Sequence, residues 1–162
     1  MKKIILFIAL CFFTASSFAQ AEIKTLTAKQ VYDLIQQSNK PSIVEFWVPN
    51  CSNNVEIVKE YKKVVEKYGN EIDFYLMGIT AKPELVQELI DKTGFNYPLY
   101  IINVAQQINL MEKRTVFEQQ FLSLFKKKHR QFIRVYITKD HKVLKINKAL
   151  DIDEKTLGRL LE

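Results

Sequence analysis

The chain has 162 residues, of which 48% are apolar, 12% aromatic and 26% charged, with four glycines and four prolines. This composition excludes a disordered chain, a collagen-like repeat and a small disulfide-stapled protein. Lysine and arginine outnumber aspartate and glutamate by 24 to 18, giving a formal charge of +6. A surplus this small, spread along the sequence, argues against a dedicated nucleic-acid binder, so we expect one globular domain and no nucleic-acid partner.

Residues 1–19 have the pattern of a secretory signal peptide. Two lysines give a basic start, an apolar run follows over 4–13, and small residues end at Ala19. The run is too short for a permanent anchor and no later stretch is long enough, so we expect no membrane span after its removal. We predict cleavage after Ala19, or alternatively after Ala21. The mature domain over 20–162 would then be exported, either periplasmic or secreted.

Apolar spacing and turn residues predict alternating helices and strands in the first two thirds of the mature chain. Thr27 and Gln30 form a capping box at the first helix, and Pro83 and Gly94 suit the start and end of the third. In order, we predict a helix over 27–38, a strand over 42–48, a helix over 55–68, a strand over 72–80, a helix over 83–92 and a short strand over 99–102.

The last third of the chain predicts a different arrangement. Residues 104–129 have a helical pattern, as one bent helix or two. A hairpin is expected from 132–138 and 142–146, followed by a final helix that Asp151 or Asp153 would cap. Alternation in the first part requires parallel strands and the hairpin adds antiparallel ones, so we predict an α/β domain with a mixed sheet flanked by helices.

Cysteine usage directs attention to one residue. The predicted leader contains Cys11, and a lipidated N-terminus there is disfavoured because the preceding Leu10 is bulky. The mature chain then keeps Cys51 alone. An unpaired cysteine in an oxidising compartment is a reactive thiol, a partner in an intermolecular disulfide, or a buried bystander.

The position of Cys51 suits a reactive thiol. It follows a buried strand and stands at the start of a predicted helix, where the helix dipole and unpaired amides favour a thiolate. A thiolate is the nucleophile of thiol–disulfide exchange. Trp47 and Pro49, just upstream, would flank it with apolar surface.

The stretch from Ile43 to Cys51 resembles the active-site strand of thioredoxin-fold proteins. The order downstream is most like that of TlpA-type periplasmic thiol–disulfide oxidoreductases, since 95–100 and 135–143 are similar to their later strand and terminal hairpin. The resemblance implies a thioredoxin-like three-layer fold, with a helical insertion between Ile102 and Phe132 before the hairpin. It also implies disulfide exchange with a protein or small-molecule thiol.

The chain departs from this family at two places. Asn54 stands where the family has its second cysteine, so one chain cannot run the two-cysteine cycle. Phe132 or Ile133 occupies the region of the family's cis-proline. We therefore assign Cys51 as the nucleophile, and the candidate substrate-binding residues are Trp47, Pro49, Asn50, Asn54 and Ile133.

Two functions of different classes remain open. In the first, Cys51 forms a mixed disulfide that an external thiol resolves. In the second, the scaffold has lost its chemistry and binds a protein partner through the helical segment around 116–125. A covalent dimer through Cys51 is a third possibility. We expect no cofactor and no metal, because neither His129 nor His141 has a second ligand near it in sequence.

Overall fold

The computed structural model describes residues 23–149 and 152–162, so the predicted leader, both cleavage positions, Cys11 and Asp151 lie outside the described residues. The described chain forms six strands and five helices. In chain order they are β1 (Ile23–Leu26), α1 (Ala28–Gln37), β2 (Ser42–Trp47), α2 (Asn54–Tyr68), β3 (Asp73–Gly78), α3 (Pro83–Thr93), β4 (Leu99–Ile102), α4 (Leu110–Leu124), β5 (Arg134–Ile137), β6 (Val143–Asn147) and α5 (Glu154–Leu161).

The strands form one mixed sheet in the order β1-β4-β3-β2-β5-β6. The pairs β1–β4, β4–β3 and β3–β2 are parallel, whereas β2–β5 and β5–β6 are antiparallel. The predicted mixed sheet is therefore confirmed, with the parallel part contributed by the first two thirds of the chain. Strand β2 lies inside the sheet, and all six of its residues are buried.

Helices cover both faces of the sheet and produce three layers. On one face, α1 and α4 pack against Val44 and Phe46 of β2. On the other, α2 and α3 pack against Trp47, and α5 packs against Ile43. Because side chains alternate along a strand, β2 contributes to the core on both sides.

The predicted helix boundaries are confirmed where capping residues define them. The Gln30 amide donates to the Thr27 hydroxyl at 3.2 Å and the Thr27 amide donates to Gln30 Oε1 at 2.8 Å, which is the expected capping box. Gly94 ends α3 at a φ of 61°, a left-handed conformation that glycine adopts without strain. Asp153 caps α5 by accepting from the Thr156 amide at 3.0 Å.

Two features differ from the sequence-based expectation. Strand β1 was not predicted, because it has four residues and two of them are exposed, which is too short for a recognisable alternation. The helical pattern over 104–129 is one helix of fifteen residues, α4. Asn109 caps its beginning by accepting from the Glu112 amide, and Lys126 leaves the helical conformation with a φ of 56°.

The aromatic residues of α4 belong to the core. Phe117 and Phe121 have no exposed surface, and Phe125 packs edge-on against Tyr32 of α1 with ring centroids 4.9 Å apart. These contacts place the aromatic side of the segment around 116–125 in the core.

A buried ion pair joins the parallel and antiparallel parts of the sheet. Glu45 of β2 and Arg134 of β5 are register partners, and Arg134 Nε lies 2.6 Å from Glu45 Oε2. The side chains are only 6% and 2% exposed, respectively. Arg134 also contacts the hydroxyl of Tyr136 at 3.5 Å, and that hydroxyl accepts from the Asp153 amide at 3.1 Å. Burial disfavours the charged guanidinium, but its bonds to Glu45 outweigh this and raise the pKa of Arg134.

We expect that Arg134→Met lowers the free energy of unfolding by about 3–5 kcal/mol, because it leaves the Glu45 carboxylate buried without its countercharge. The double variant Glu45→Leu with Arg134→Met removes both charges and should recover most of this loss. Urea unfolding of both variants and the parent measures the difference. A double variant no more stable than Arg134→Met would contradict the assignment of the loss to the stranded charge.

Candidate functional site

Cys51 lies in the connection between β2 and α2, as the sequence predicts. The Cys51 amide donates to the Val48 carbonyl at 3.3 Å, and the Asn54 amide donates to the Cys51 carbonyl at 3.3 Å. Two consecutive turns therefore carry the chain from the buried strand to the helix. The Cys51 side chain is partly exposed, and its thiol is free among the described residues.

Helix α2 begins at Asn54, after Cys51 in the chain. Asn53 is the N-cap residue of α2 and Asn54 its first residue, so Cys51 lies two residues before the cap. Within the described chain, the Asn53 side chain makes no capping hydrogen bond. The thiol is thus close to the positive end of the α2 dipole without being in the first helical turn.

Asn54 closes the Cys51 turn. Its side-chain Nδ2 donates to the Pro49 carbonyl at 2.6 Å, so the amide bridges the segment that contains the cysteine. A thiol at this position could not donate such a bond with comparable strength. Asn54 therefore has a structural contact at the place where the resembling family has a second cysteine.

Trp47 and Pro49 form the base of the turn. Trp47 is 3% exposed, and its ring packs edge-on against Tyr61 at a centroid distance of 6.2 Å. Gly78, at the end of β3, lies against both residues, since a Cβ there would be in van der Waals contact with Pro49 Cγ at 3.5 Å and with Trp47 Cε2 at 3.6 Å. Both residues thus support the turn from below, whereas Asn50 is exposed at its surface.

Ile133 enters the sheet beside the same end of β2. Its carbonyl accepts from the Phe46 amide at 2.8 Å, and its amide donates to the Asn147 carbonyl at 2.9 Å. Because β5 runs antiparallel to β2, the beginning of β5 and the Cys51 turn lie at one end of the sheet. Because the amide and carbonyl of Ile133 are already hydrogen-bonded, a substrate would contact this residue through its partly exposed side chain.

Tyr61 connects the turn to the buried ion pair and was not singled out as a functional residue from the sequence. Burial, followed by the Glu45 carboxylate, raises the pKa of Tyr61 far above its ordinary value, and Cys51 adds a smaller increase. The phenol therefore stays neutral, and it lines one small cavity together with Glu45 and Arg134. The sequence does not single out Tyr61, because it also fits the buried face of α2 with Val58 and Val65.

Neither histidine approaches Cys51 through a hydrogen bond. His141 lies in the terminal hairpin turn, with Nε2 2.9 Å from the Ser38 carbonyl oxygen. His129 Nε2 lies 3.5 Å from Glu118 Oε2. Within residues 23–149 and 152–162, no group of three or more His, Cys, Asp or Glu side chains could hold a metal ion.

We expect that Asn54→Ala lowers the free energy of unfolding by about 1 kcal/mol, because the Pro49 carbonyl loses its donor. Asn53→Ala is the matched control, since the neighbouring side chain makes no capping bond, and its effect should stay within about 0.5 kcal/mol. Urea unfolding compares the two. Equal losses in both variants would mean that the bond to Pro49 contributes nothing specific.

Comparison with known proteins connects this geometry to a fold. Residues 22–92, which include the Cys51 turn, match the sequence model of the thioredoxin family. No curated protein sequence gives a significant match.

Several solved structures are similar to the chain, among them the following two. One is a thioredoxin-like protein in the oxidized form, at 13% identity, with a TM-score of 0.56 and 84% of each chain covered. The other is a thiol:disulfide interchange protein of the thioredoxin family from Chlorobium tepidum TLS, at 12% identity, with a TM-score of 0.53, covering 84% of this chain and 88% of that one. The expected thioredoxin-like fold is confirmed: this chain is a mixed α/β domain of that kind.

Proposed function

We propose that the protein exchanges disulfides through Cys51 alone. The observation that carries this proposal is a free, partly exposed thiol in the turn between β2 and α2, with Asn54 in place of a second cysteine. The match of residues 22–92 to the thioredoxin family supports it, because the matched segment contains this turn. TlpA-type disulfide exchange with a Cys-x-x-Asn site is the specific form that we infer.

The first chemical step follows from the nature of a thiolate. Cys51 Sγ attacks one sulfur of a substrate disulfide, a new S–S bond forms, and the old S–S bond breaks. The departing sulfur leaves as a thiolate with the electron pair of the broken bond. Cys51 lies two residues before the N-cap of α2, close to the positive end of the helix dipole.

The second step needs a thiol from outside the chain. Asn54 cannot attack a disulfide, so an external protein or small-molecule thiolate attacks the mixed disulfide and releases Cys51 as a thiolate. The substrate sulfur then forms a disulfide with the external thiol. No electrons are gained or lost overall, so neither step needs a cofactor.

The substrate-binding surface that we infer surrounds the turn. Asn50 is exposed beside the thiol, and the side chain of Ile133 is partly exposed at the start of β5. Trp47, Pro49 and Asn54 act beneath them by fixing the turn. A protein or peptide that carries the disulfide would then contact Asn50 and Ile133.

We further infer that the protein acts outside the cytoplasm, periplasmic or secreted, after removal of residues 1–19. The basic, apolar and small-residue pattern of that segment supports export. In the part of the chain that the structure describes, no helix has the length and apolar character to cross a bilayer.

The alternative function, a binding module that uses the segment around 116–125, has less support. Phe117, Phe121 and Leu122 are fully buried in the core, so the apolar side of α4 is occupied. Met111, 60% exposed, is an isolated apolar residue on this helix and does not form a patch.

We expect that Cys51→Ser abolishes mixed-disulfide formation and leaves the fold intact, because a hydroxyl is not a nucleophile towards disulfides. The measurement is non-reducing electrophoresis after incubation of each protein with a disulfide-containing model substrate, with circular dichroism as the control for folding. Adducts that persist in Cys51→Ser would overturn the proposal. A dimer of the parent alone, without substrate adducts, would favour the covalent dimer instead.

We expect that Asn54→Cys supplies an internal resolving thiol. The Asn54 amide bonds to the Cys51 carbonyl, as in a β-turn, and the Cα atoms that close such a turn are less than about 7 Å apart. A disulfide requires about 4.4–6.8 Å, so the new pair fits. Asn54→Cys should release its mixed disulfides without added thiol.

Asn53→Cys is the matched control, since it adds a thiol one residue away from the closing position of the turn. Mass spectrometry of the adducts over time distinguishes the variants. If mixed disulfides of Asn54→Cys last as long as those of the parent, a thiol at position 54 does not reach Cys51, contrary to the expectation from the turn.

A further inference from the structure

Helix α4 carries a buried ion pair that the proposed function does not use. Glu118 has no exposed surface, and Arg114, one helical turn earlier, places its Nε 2.9 Å from Glu118 Oε1. His129 lies at the other carboxylate oxygen, with 3.5 Å between Nε2 and Oε2. A buried carboxylate is costly unless it is paired and hydrogen-bonded, and Glu118 has a partner at each of its two oxygens.

The ion pair is bonded to the main chain of Phe132. Arg114 Nη2 donates to the Phe132 carbonyl at 2.6 Å, and the Phe132 amide lies 3.5 Å from Glu118 Oε1. Both main-chain polar groups of one residue are thus engaged by two side chains from a single helix. Arg114 acts as a fork that bridges the Glu118 carboxylate and the Phe132 carbonyl.

Phe132 lies two residues before β5, at the end of the sheet where the Cys51 turn lies. The next residue, Ile133, pairs with Phe46 of β2 through its carbonyl. The ring of Phe46 lies 4.9 Å from that of Phe132, and the Arg114 guanidinium lies 5.4 Å from the Phe46 ring. The ion pair therefore contacts β2 and the segment just before β5, at the end of the sheet where the thiol lies.

The segment before β5 has no regular structure. Residues 125–133 contain no helix or strand, and Lys126 has a positive φ. The Phe132 ring is buried and packs against Phe46 and Phe121. The bonds from α4 add to this packing by holding the amide and the carbonyl of Phe132, next to Ile133.

We propose that Arg114 and Glu118 are positioning residues that make Cys51 selective for disulfides within extended peptides. By bonding to the main chain of Phe132, they add to the fixing of Ile133, whose own amide and carbonyl are paired with Asn147 and Phe46. The partly exposed side chain of Ile133 is then a fixed surface at the end of the sheet where the thiol lies, against which a peptide can orient its disulfide. A small disulfide reaches Cys51 without using that surface. This inference rests on the proposed disulfide exchange at Cys51.

The test compares two probes with the same leaving group. One is dithiobis(nitrobenzoate), a small symmetrical disulfide. The other is an extended peptide whose single cysteine carries a thionitrobenzoate group. In both, attack by Cys51 at the other sulfur of the disulfide releases the thionitrobenzoate anion, which takes the electron pair and is measured by its absorbance. The ratio of the two second-order rate constants reports orientation of the peptide separately from reactivity of the thiol.

Arg114→Lys keeps the charge but replaces the fork with a single ammonium, which cannot bridge the carboxylate and the carbonyl in the same way. We expect it to slow the peptide reaction roughly tenfold, because small misplacements of a positioning surface have large kinetic effects. The small probe should react within about twofold of the parent rate. Glu118→Gln retains one acceptor oxygen, so its effect on the peptide reaction should be smaller and in the same direction.

Arg159→Lys, an exposed arginine of α5, is the matched control and should change neither rate. Circular dichroism and thermal unfolding show whether each variant is folded, and Glu118→Gln carries the test if Arg114→Lys is not. Equal slowing of both probes, an unchanged peptide rate or a faster peptide rate would overturn the inference and leave disulfide exchange intact. If the parent reacts with neither probe, the proposed function fails and the inference fails with it.

Discussion

The structure depends on the placement of β2 inside the sheet, with a parallel neighbour on one edge and an antiparallel neighbour on the other. Every side chain of β2 is buried, so its apolar residues must alternate between two cores. This constraint sets the position of the helices on both faces. The carboxyl end of β2 leads directly into the turn that contains Cys51.

Glu45, the one charged residue of β2, helps to set the register between β2 and the antiparallel strand β5. Glu45 is buried and opposes Arg134 directly, so a shift of β5 by one residue would separate the two charges and turn the side chains of β5 to the wrong faces. The pair is thus a determinant of register. The hydroxyl of Tyr136, 3.5 Å from Arg134 Nη1, and the side chain of Tyr61 complete its surroundings.

Two sets of side-chain to main-chain hydrogen bonds lie at the same end of the sheet. In the Cys51 turn, Asn54 bonds to the Pro49 carbonyl and closes a short loop. Across the sheet, Arg114 and Glu118 bond to the main chain of Phe132 and fix the approach to β5. In both sets, side chains bond to main-chain groups, and these bonds fix chain segments at the end of the sheet where Cys51 lies.

The sequence by itself determined the elements whose ends carry strong local signals. The capping box at Thr27, the glycine at Gly94 and the buried run of β2 each act through neighbouring residues, so their patterns are visible in the chain. The same holds for Cys51, since its place between strand and helix follows from local order. Strand β1 was not visible, because its stability comes from pairing with the distant β4.

Only the tertiary structure decided which distant residues meet. Arg114 and Glu118 are four residues apart and suggest an ordinary helical ion pair, but the burial of Glu118 and its bond to Phe132 arise when α4 packs against the segment that precedes β5. Glu45 and Arg134 are 89 residues apart, and no local pattern relates them. Sequence therefore determined the local elements, and long-range packing determined the contacts that surround the thiol, because burial and charge pairing depend on the assembled fold.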